Sequence, residues 1–196
     1  MRDQRYAADE YSLYGKKPND FLAEVSGGLA PGKVLCLAEG EGRNAVFLAG
    51  MGHAVTAADA STVGLEKARK LAAERGVGIA TQVADLADFV IGPESWDAVV
   101  AIFCHLPPDL RRLVHRRIVT GLRPGGRFIL EAYTPRQIEF KTGGPPTAEL
   151  LVTLSDLQAE LTGLDFEHAE EIERDIHEGH SHFGRGAVVR IVARKP

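Results

Sequence analysis

Two glycines and their charged neighbours form the stretch of the chain best suited to bind a ligand. A short apolar run, residues 34–37, precedes a turn with two glycines, and the residues after the turn have a helical pattern. Glycine tolerates positive φ and lets a ligand approach the backbone, and a helix N-terminus offers free N–H groups and a partial positive charge. This order predicts a nucleotide-type binding site at the carboxyl end of a parallel strand. Its residues are Glu39, Gly40, Glu41, Gly42, Arg43 and Asn44.

The charges around the glycines limit which ligand this site could hold. The two glycines and Ala45 fit the dinucleotide pattern G-x-G-x-x-G/A, and Asp59 lies downstream at a suitable distance to hold a ribose. The carboxylates of Glu39 and Glu41, however, would repel a pyrophosphate. They would instead attract a ligand with an ammonium group and a sulfonium centre, such as S-adenosylmethionine.

Residues 34–45 resemble the first motif of class I S-adenosylmethionine-dependent methyltransferases. The run Gly-Glu-Gly-Arg-Asn at 40–44 is most similar to the tellurite-resistance-type branch of that family. The family usually has an aspartate inside the strand and a Gly-Cys-Gly turn. Here Cys36 stands where the aspartate is expected, and Ala38 and Glu39 replace Gly and Cys. We therefore expect Glu39 to neutralise the methionine ammonium of the cofactor.

Two further acidic residues end predicted strands and could hold the rest of the cofactor. The Asp59 carboxylate could accept hydrogen bonds from both ribose hydroxyls, or it could simply stabilise the start of the next helix. The resemblance places Asp85 near the exocyclic amine of adenine and the Leu86 backbone at the ring edge, with an exposed loop aspartate as the alternative. We also assign Ala60 and Ser61 to the cofactor site.

The end of the fourth predicted strand carries the first candidates for catalysis. At this edge of an open α/β sheet, Phe103 or its backbone would line the sulfonium. His105 is the best-placed general base, and a packing or capping histidine is the alternative. Methyl transfer is an in-line displacement from an activated sulfonium, so positioning can supply most of the rate without a base. Tyr133, which ends the fifth predicted strand, is the second catalytic candidate.

Two segments outside the regular elements are expected to lie over the pocket. Residues 1–18 form an N-terminal arm in which Tyr6 and Tyr14 would contact the substrate, and a frayed terminus is the alternative. Residues 134–147 form a loop rich in Gly and Pro, and the resemblance implies that such loops line the acceptor pocket. A plain surface loop is the alternative there. The residues of this loop that we assign to the pocket are Gln137 and Phe140.

A histidine cluster lies in residues 177–186, which connect the last two predicted strands. The spacing of His177, His180 and His182 could chelate a metal ion. Histidines on an exposed turn are more often solvated, and we favour a second lid over the pocket in which His182 points inward. No metal is therefore expected.

Strand and helix patterns alternate along the chain as far as residue 133. This alternation predicts an α/β fold with a doubly wound, mostly parallel sheet and helices on both faces. The last two strands form an antiparallel hairpin. The resemblance implies a Rossmann-like methyltransferase fold of seven strands, with the seventh inserted antiparallel beside the fifth. We expect residues 1–196 to form a single domain. The predicted strands are 34–37, 53–58, 79–83, 96–103, 127–133, 166–176 and 187–193.

Composition and charge limit the class of protein further. With 196 residues, of which 44% are hydrophobic and 26% charged, the chain suits one globular domain. A net charge of -4 gives no electrostatic reason to expect a nucleic-acid partner, and no apolar run approaches the roughly 20 residues of a membrane span. We expect Cys36 and Cys104 to be free thiols of a cytoplasmic protein. The oligomeric state stays open.

These observations predict an enzyme that transfers a methyl group from S-adenosylmethionine to a small-molecule acceptor and releases S-adenosylhomocysteine. A nicotinamide-dependent oxidoreductase is the alternative enzyme. It would need phosphate-tolerant charge at the glycine turn and a proton donor such as a Tyr-x-x-x-Lys pair, and the sequence has neither. A non-catalytic S-adenosylmethionine-binding module is the third possibility, because the acceptor side carries no diagnostic motif.

Overall fold

A seven-stranded sheet organises the computed structural model, which describes Asp3, Tyr6, residues 14–179 and residues 182–196, the side chain of His182 excepted. Its strands are β1 (Lys33–Leu37), β2 (Ala54–Asp59), β3 (Ala80–Val83), β4 (Trp96–Ile102), β5 (Leu122–Tyr133), β6 (Asp165–Glu178) and β7 (His182–Arg194). Their order across the sheet is β3-β2-β1-β4-β5-β7-β6. The strands β1 to β5 pair in parallel, whereas β7 is antiparallel to both β5 and β6.

Helices cover both faces of this sheet. They are α1 (Asp20–Val25), α2 (Arg43–Gly50), α3 (Thr62–Glu74), α4 (Pro108–Gly121), α5 (Gln137–Phe140) and α6 (Leu154–Glu160). Apolar side chains of α1, α2 and α3 pack in one core cluster, and those of α4 and α6 pack in another. Within the described ranges, no helix combines the length and the apolar character needed to cross a bilayer.

The strand β1 shows why a short continuous apolar run marks the centre of such a sheet. Its Leu35 and Leu37 point into the cluster with α4 and α6, whereas Val34 and Cys36 belong to the cluster with α1, α2 and α3. Successive strand residues face opposite sides, so a strand covered on both faces is apolar at every position. The predicted doubly wound sheet and its antiparallel seventh strand are confirmed.

The predicted start of the fifth strand is wrong for a local reason. The strand β5 begins at Leu122, not at 127, because Leu122 already pairs with Trp96 before the chain passes an irregularity in the ladder. The helix α6 is capped by Thr153, in a capping box that Thr153 and Asp156 form together.

The predicted loop at 177–186 is also wrong, because most of it is strand. The strand β6 continues to Glu178, and β7 begins at His182. These two residues face each other across the ladder. Side chains alternate to the end of β6, with Ile176 and Glu178 buried and His177 exposed. This period of two, rather than the Gly and His content, sets the local structure.

Candidate functional site

A cavity of about 630 Å3 opens at the sheet edge where β1, β2 and β4 end. Ligands of open α/β sheets bind at this edge, because the carboxyl ends of parallel strands meet there. The cavity is therefore the candidate functional site. The predicted site residues in its wall are Tyr6, Tyr14, Glu39, Arg43, Asn44, Asp59, Ala60, Asp85, Leu86, Phe103 and His105.

The glycine turn between β1 and α2 has left-handed backbone at alternate residues. Ala38, Gly40 and Gly42 have φ values of 51°, 59° and 87°. A Cβ on Gly42 would lie 2.5 Å from that of Ala68 in α3, so this glycine lets the two helices pack closely. Ala38 adopts the same conformation despite its Cβ, and such strain is concentrated at ligand sites. Among the described residues, the two glycines shape the turn without lining the cavity.

Glu39 connects the turn to the start of α2. Its Oε1 accepts hydrogen bonds from the backbone N–H groups of Asn44 and Ala45, at 2.9 and 2.8 Å. Burial raises the pKa of this carboxyl to about 7, although the two N–H groups and the Arg43 guanidinium act in the opposite direction. Glu39 is thus a cap for α2 and an acidic part of the cavity wall.

Glu41 lies outside the wall, contrary to its predicted place in the cofactor site. Its side chain is buried against α3, where Lys67 Nζ lies 2.9 Å from Glu41 Oε1. A lysine more than twenty positions further along the chain thus neutralises this carboxylate. Of the two glutamates that flank Gly40, only Glu39 lines the cavity.

Asp59 holds the turn and the start of α3 at the same time. Its Oδ2 accepts a hydrogen bond from Gly40 N at 2.9 Å, and its Oδ1 accepts one from Ser61 N at 2.7 Å. A carboxylate has about four acceptor positions, so each oxygen retains capacity for a ligand hydroxyl. Ser61 is fully buried and caps α3 through Gly64 N, outside the cavity wall.

Asp85 and Leu86 line the cavity after β3. Asp85 Oδ1 accepts a hydrogen bond from Ala87 N at 3.0 Å, which fixes the local turn. Leu86 is buried and adds apolar surface beside this carboxylate. The two residues could hold a flat base with a polar edge.

Three aromatic rings stack where β4 and β5 end. The ring centroids of Phe103 and Tyr133 lie 4.7 Å apart, and those of His105 and Tyr133 lie 5.6 Å apart. Phe103 has a φ of 52°, a strained conformation that its N–H stabilises by donating to Glu131 O at 2.8 Å. Phe103 and His105 line the cavity.

Tyr133, the second catalytic candidate, lies behind these two rings rather than in the cavity wall. It is almost completely buried, and this burial, together with the nearby carboxylates of Glu178 and Glu131, raises the pKa of its phenol. Its position outside the wall indicates that it supports Phe103 and His105 by packing, and a direct catalytic contact of Tyr133 stays a prediction.

The predicted loop after β5 reaches the cavity through residues 143–146, whereas the assigned Gln137 and Phe140 lie outside the wall. Gln137 is buried and its side chain organises the loop, because Nε2 donates to Thr142 Oγ1 and Gly143 O, and Oε1 accepts from Ala187 N. Neither Gln137 nor Phe140 lines the cavity among the described residues. The wall is formed instead by Gly143, Gly144, Pro145 and Pro146.

Asp3 and Tyr6 of the N-terminal arm lie near the start of α3 and the glycine turn. Tyr6 and Tyr14 line the wall, and a Cβ on Gly40 would lie 2.7 Å from Tyr6 Oη. Asp3 Oδ1 accepts a hydrogen bond from Ser61 Oγ at 2.7 Å. Residues 1, 2, 4, 5 and 7–13 of the arm lie outside the described part of the chain.

The predicted histidine cluster is only partly described. His180 and the side chain of His182 lie outside the described residues, so the inward orientation of His182 stays a prediction. His177 lies on the exposed side of β6, where its ring contacts that of Phe183. In the described part of the chain, no three His, Cys, Asp or Glu side chains are grouped as metal ligands.

Sequence reasoning missed several apolar wall residues. They lie after β4, at the start of α4 and in the short 3-10 helix Ala148–Leu150. The helical spacing of Leu110 indicates only core packing, and Cys104 stands at the end of an apolar run, so neither pattern by itself marks a cavity wall. The position of 104–106 directly after a central strand was the available signal. The missed residues include Cys104, Leu106, Leu110 and Leu150.

Sequence comparison supports the predicted cofactor class. Residues 34–126 match the model of the family described as methyltransferase domain. A curated relative, the 2-heptyl-1-hydroxyquinolin-4(1H)-one methyltransferase of Mycobacteroides abscessus, is 27% identical over 151 residues, which are 75% of this chain and 66% of that protein. The chain therefore spans slightly less than two thirds of the length of this relative.

Solved structures share the whole fold. One, from work on the conversion of a disulfide bond into a thioacetal group during echinomycin biosynthesis, matches with a TM-score of 0.79 at 23% identity and covers 99% of this chain and 90% of that chain. TehB from Haemophilus influenzae matches with a TM-score of 0.74 at 18% identity, over 91% of this chain and 62% of that chain. Others that cover at least 90% of this chain are described as SAM-dependent methyltransferases. The fold is the Rossmann-like fold of that class.

Proposed function

We propose that the protein methylates an uncharged, ring-containing small molecule with S-adenosylmethionine as the methyl donor. The observation that carries this proposal is the uneven distribution of charge around the cavity. Glu39, Asp59 and Asp85 follow or end β1, β2 and β3. The described wall residues 102–106, Leu110, 143–146 and Leu150 include no carboxylate, lysine or arginine. One half thus suits a cationic, hydroxyl-bearing cofactor, and the other suits an apolar acceptor.

The charged half fits the functional groups of S-adenosylmethionine one by one. Glu39 would face the methionine ammonium, and the remaining acceptor positions of Asp59 would take the ribose hydroxyls. Asp85 would accept from the exocyclic amine of adenine, beside the apolar surface of Leu86. Arg43 is the guanidinium in this part of the wall, and it suits the methionine carboxylate.

The acceptor half is built for stacking and apolar contact. Phe103 and His105 present rings that Tyr133 holds from behind, and the leucines and prolines complete the wall. A hydroxylated ring with apolar substituents, like the hydroxyquinolinone that names the curated relative, is the kind of acceptor that we propose. A charged acceptor would lose its hydration without gaining a partner.

In the proposed reaction, an acceptor oxygen attacks the methyl carbon in line with the carbon–sulfur bond. The new carbon–oxygen bond forms as the carbon–sulfur bond breaks, and the electron pair of that bond stays on sulfur. The acceptor proton passes to His105 or to water. Holding the two reactants in line supplies most of the acceleration, and His105 adds a smaller contribution as a base.

A transfer assay with methyl-labelled S-adenosylmethionine tests this proposal. We expect the label to appear on a hydroxyquinolinone acceptor. On an acceptor with the same ring and an added carboxylate, turnover should be lower by about 10²-fold or more. His105→Gln should lower turnover by roughly 10²-fold while cofactor affinity holds, if the histidine takes the proton. Binding of the cofactor without transfer to any ring acceptor would favour the non-catalytic module instead.

Several finer assignments are part of the same proposal. The run at 40–44 supports placement in the tellurite-resistance-type branch, and the buried thiol of Cys36 supports a reducing compartment such as the cytoplasm. The wall positions of Tyr6 and Tyr14 support an arm, residues 1–18, that covers the pocket. We treat 1–196 as one domain because its elements share one sheet.

A further inference from the structure

A buried ionic cluster connects the C-terminal hairpin to the start of α2. We define it as Glu131, Glu178, Arg43, Arg174, Arg190 and Asn19. Glu131 is completely buried in β5, and the other charged members are at most 11% exposed at their side chains. Charges so far from water are retained only when they are paired and hydrogen-bonded, so the cluster fixes the relative positions of its elements.

Arg43 is the member of this cluster that lines the cavity. Its Nη2 donates to Glu178 Oε2 at 2.5 Å, and its Nη1 makes a long contact of 3.4 Å with Lys17 O. The short, charge-assisted bond therefore sets the orientation of the guanidinium. Glu178 itself, at the end of β6, is outside the cavity wall among the described residues.

A second path joins Glu178 to the same turn of α2. Asn19 Nδ2 donates to Glu178 Oε1 at 2.8 Å, and the Asn19 backbone N–H donates to Asn44 Oδ1 at 2.9 Å. Asn44 is in the cavity wall, and its backbone N–H donates to Glu39. One carboxylate of the hairpin thus holds two adjacent wall residues, Arg43 directly and Asn44 through Asn19.

We propose that Glu178 is a positioning residue for the cofactor half of the site and that it acts through Arg43. This inference rests on the proposed function, because it takes the anionic group at Arg43 to be the methionine carboxylate. The acceptor half lies at β4, α4 and the loop 143–146, and Glu178 has no hydrogen bond to these segments among the described contacts. Loss of Glu178 therefore weakens cofactor binding and spares acceptor binding.

The test is steady-state kinetics and S-adenosylhomocysteine calorimetry on Glu178→Gln. The amide keeps the size of the side chain and an acceptor for Asn19, but it removes the charge that holds Arg43. We expect the KM for S-adenosylmethionine and the Kd for S-adenosylhomocysteine to rise about 10-fold, while kcat and the KM for the acceptor change less than about 2-fold. Glu178→Asp keeps the charge and should restore part of the affinity.

A double-mutant cycle separates positioning from general destabilisation. If Glu178 acts through Arg43, then Glu178→Gln should have little further effect on the Kd in an Arg43→Gln background. Glu160→Gln is the matched control, because Glu160 also forms a buried ion pair, with Arg111, between α4 and α6. It should lower the Tm and leave the Kd for S-adenosylhomocysteine unchanged.

The outcomes are distinct for the inference and for the proposed function. An unchanged Kd in folded Glu178→Gln, or a loss of the same size in both the wild-type and the Arg43→Gln backgrounds, would overturn the inference. If Glu178→Gln does not fold, Glu178→Asp is compared with the wild type instead. Its shorter side chain shifts the carboxylate, so a wild-type Kd in this variant would overturn the inference. A wild-type protein that binds S-adenosylhomocysteine but transfers no methyl group would contradict the proposed function alone.

Discussion

At the scale of single residues, Asp59 shows how one carboxylate can serve the backbone and a ligand together. Its two oxygens already accept hydrogen bonds from Gly40 N and Ser61 N, so the strand end, the glycine turn and the start of α3 all depend on it. These bonds also orient the remaining acceptor positions toward the cavity, where the ribose would lie.

Asp59→Ala should weaken S-adenosylhomocysteine binding by about 10- to 100-fold. Hydrogen bonds to a charged group contribute about 1.5 to 3 kcal/mol each, and water replaces part of that contribution. Asp59→Asn keeps one acceptor oxygen and should lose less. Calorimetric titration, after circular dichroism has confirmed folding, measures both. Wild-type affinity in the folded alanine variant would mean that the ribose lies elsewhere.

Glu39 gives the site a pH dependence. The pKa of about 7 arises mainly from burial, with Arg43 and two N–H groups opposing it and Asp59 adding to it. An ammonium-bearing ligand prefers the ionised carboxylate, so binding lowers this pKa. Below about pH 7 the free protein therefore holds a proton that binding must release, and the affinity for the ligand rises as that proton is lost.

S-adenosylhomocysteine affinity should therefore rise between pH 5.5 and 7, by up to about tenfold per pH unit, and level off above pH 7. Glu39→Gln should bind more weakly and lose this slope, because the amide does not titrate. Calorimetry across the pH series in both proteins checks this. A slope that persists in the glutamine variant would assign the titration to another group.

At the scale of elements, the close packing of α2 on α3 depends on Gly42. Gly42→Ala should lower the free energy of unfolding by about 1 to 3 kcal/mol, because the new Cβ would meet that of Ala68 and the residue would be left-handed. Gly50→Ala, at the other end of α2, is the matched control because a Cβ there meets open space. It should leave the stability unchanged or raise it by up to about 1 kcal/mol. Urea unfolding measures both, and equal effects would contradict the packing argument.

The elements themselves could largely be predicted from the sequence, since they depend on local patterns. The alternation of apolar strands and amphipathic helices indicated the parallel sheet, and acidic residues at strand ends indicated Asp59 and Asp85. Contacts between distant residues could not be predicted in this way. Glu41 forms an ion pair with Lys67 outside the cavity wall, and Tyr133 packs behind Phe103. In both cases the direction of a side chain near the end of a strand is set by tertiary packing.

At the scale of the whole molecule, the antiparallel hairpin near the C-terminal end of the sequence contacts the start of α2, which is far from it along the chain. Glu178 in β6 reaches Arg43 at the start of α2, so the sheet order places the C-terminal strands in contact with the first motif. Nothing in the pattern of either segment alone indicates this buried ion pair. It follows from the insertion of β7 between β5 and β6.

The central claim is that the cavity is an S-adenosylmethionine site, and one calorimetric comparison tests it most directly. S-adenosylhomocysteine and NAD are titrated separately into the wild-type protein at neutral pH. The carboxylates of Glu39, Asp59 and Asp85 around one cavity predict saturable binding of S-adenosylhomocysteine and no measurable binding of NAD, whose pyrophosphate they repel. Tighter binding of NAD than of S-adenosylhomocysteine would contradict the account.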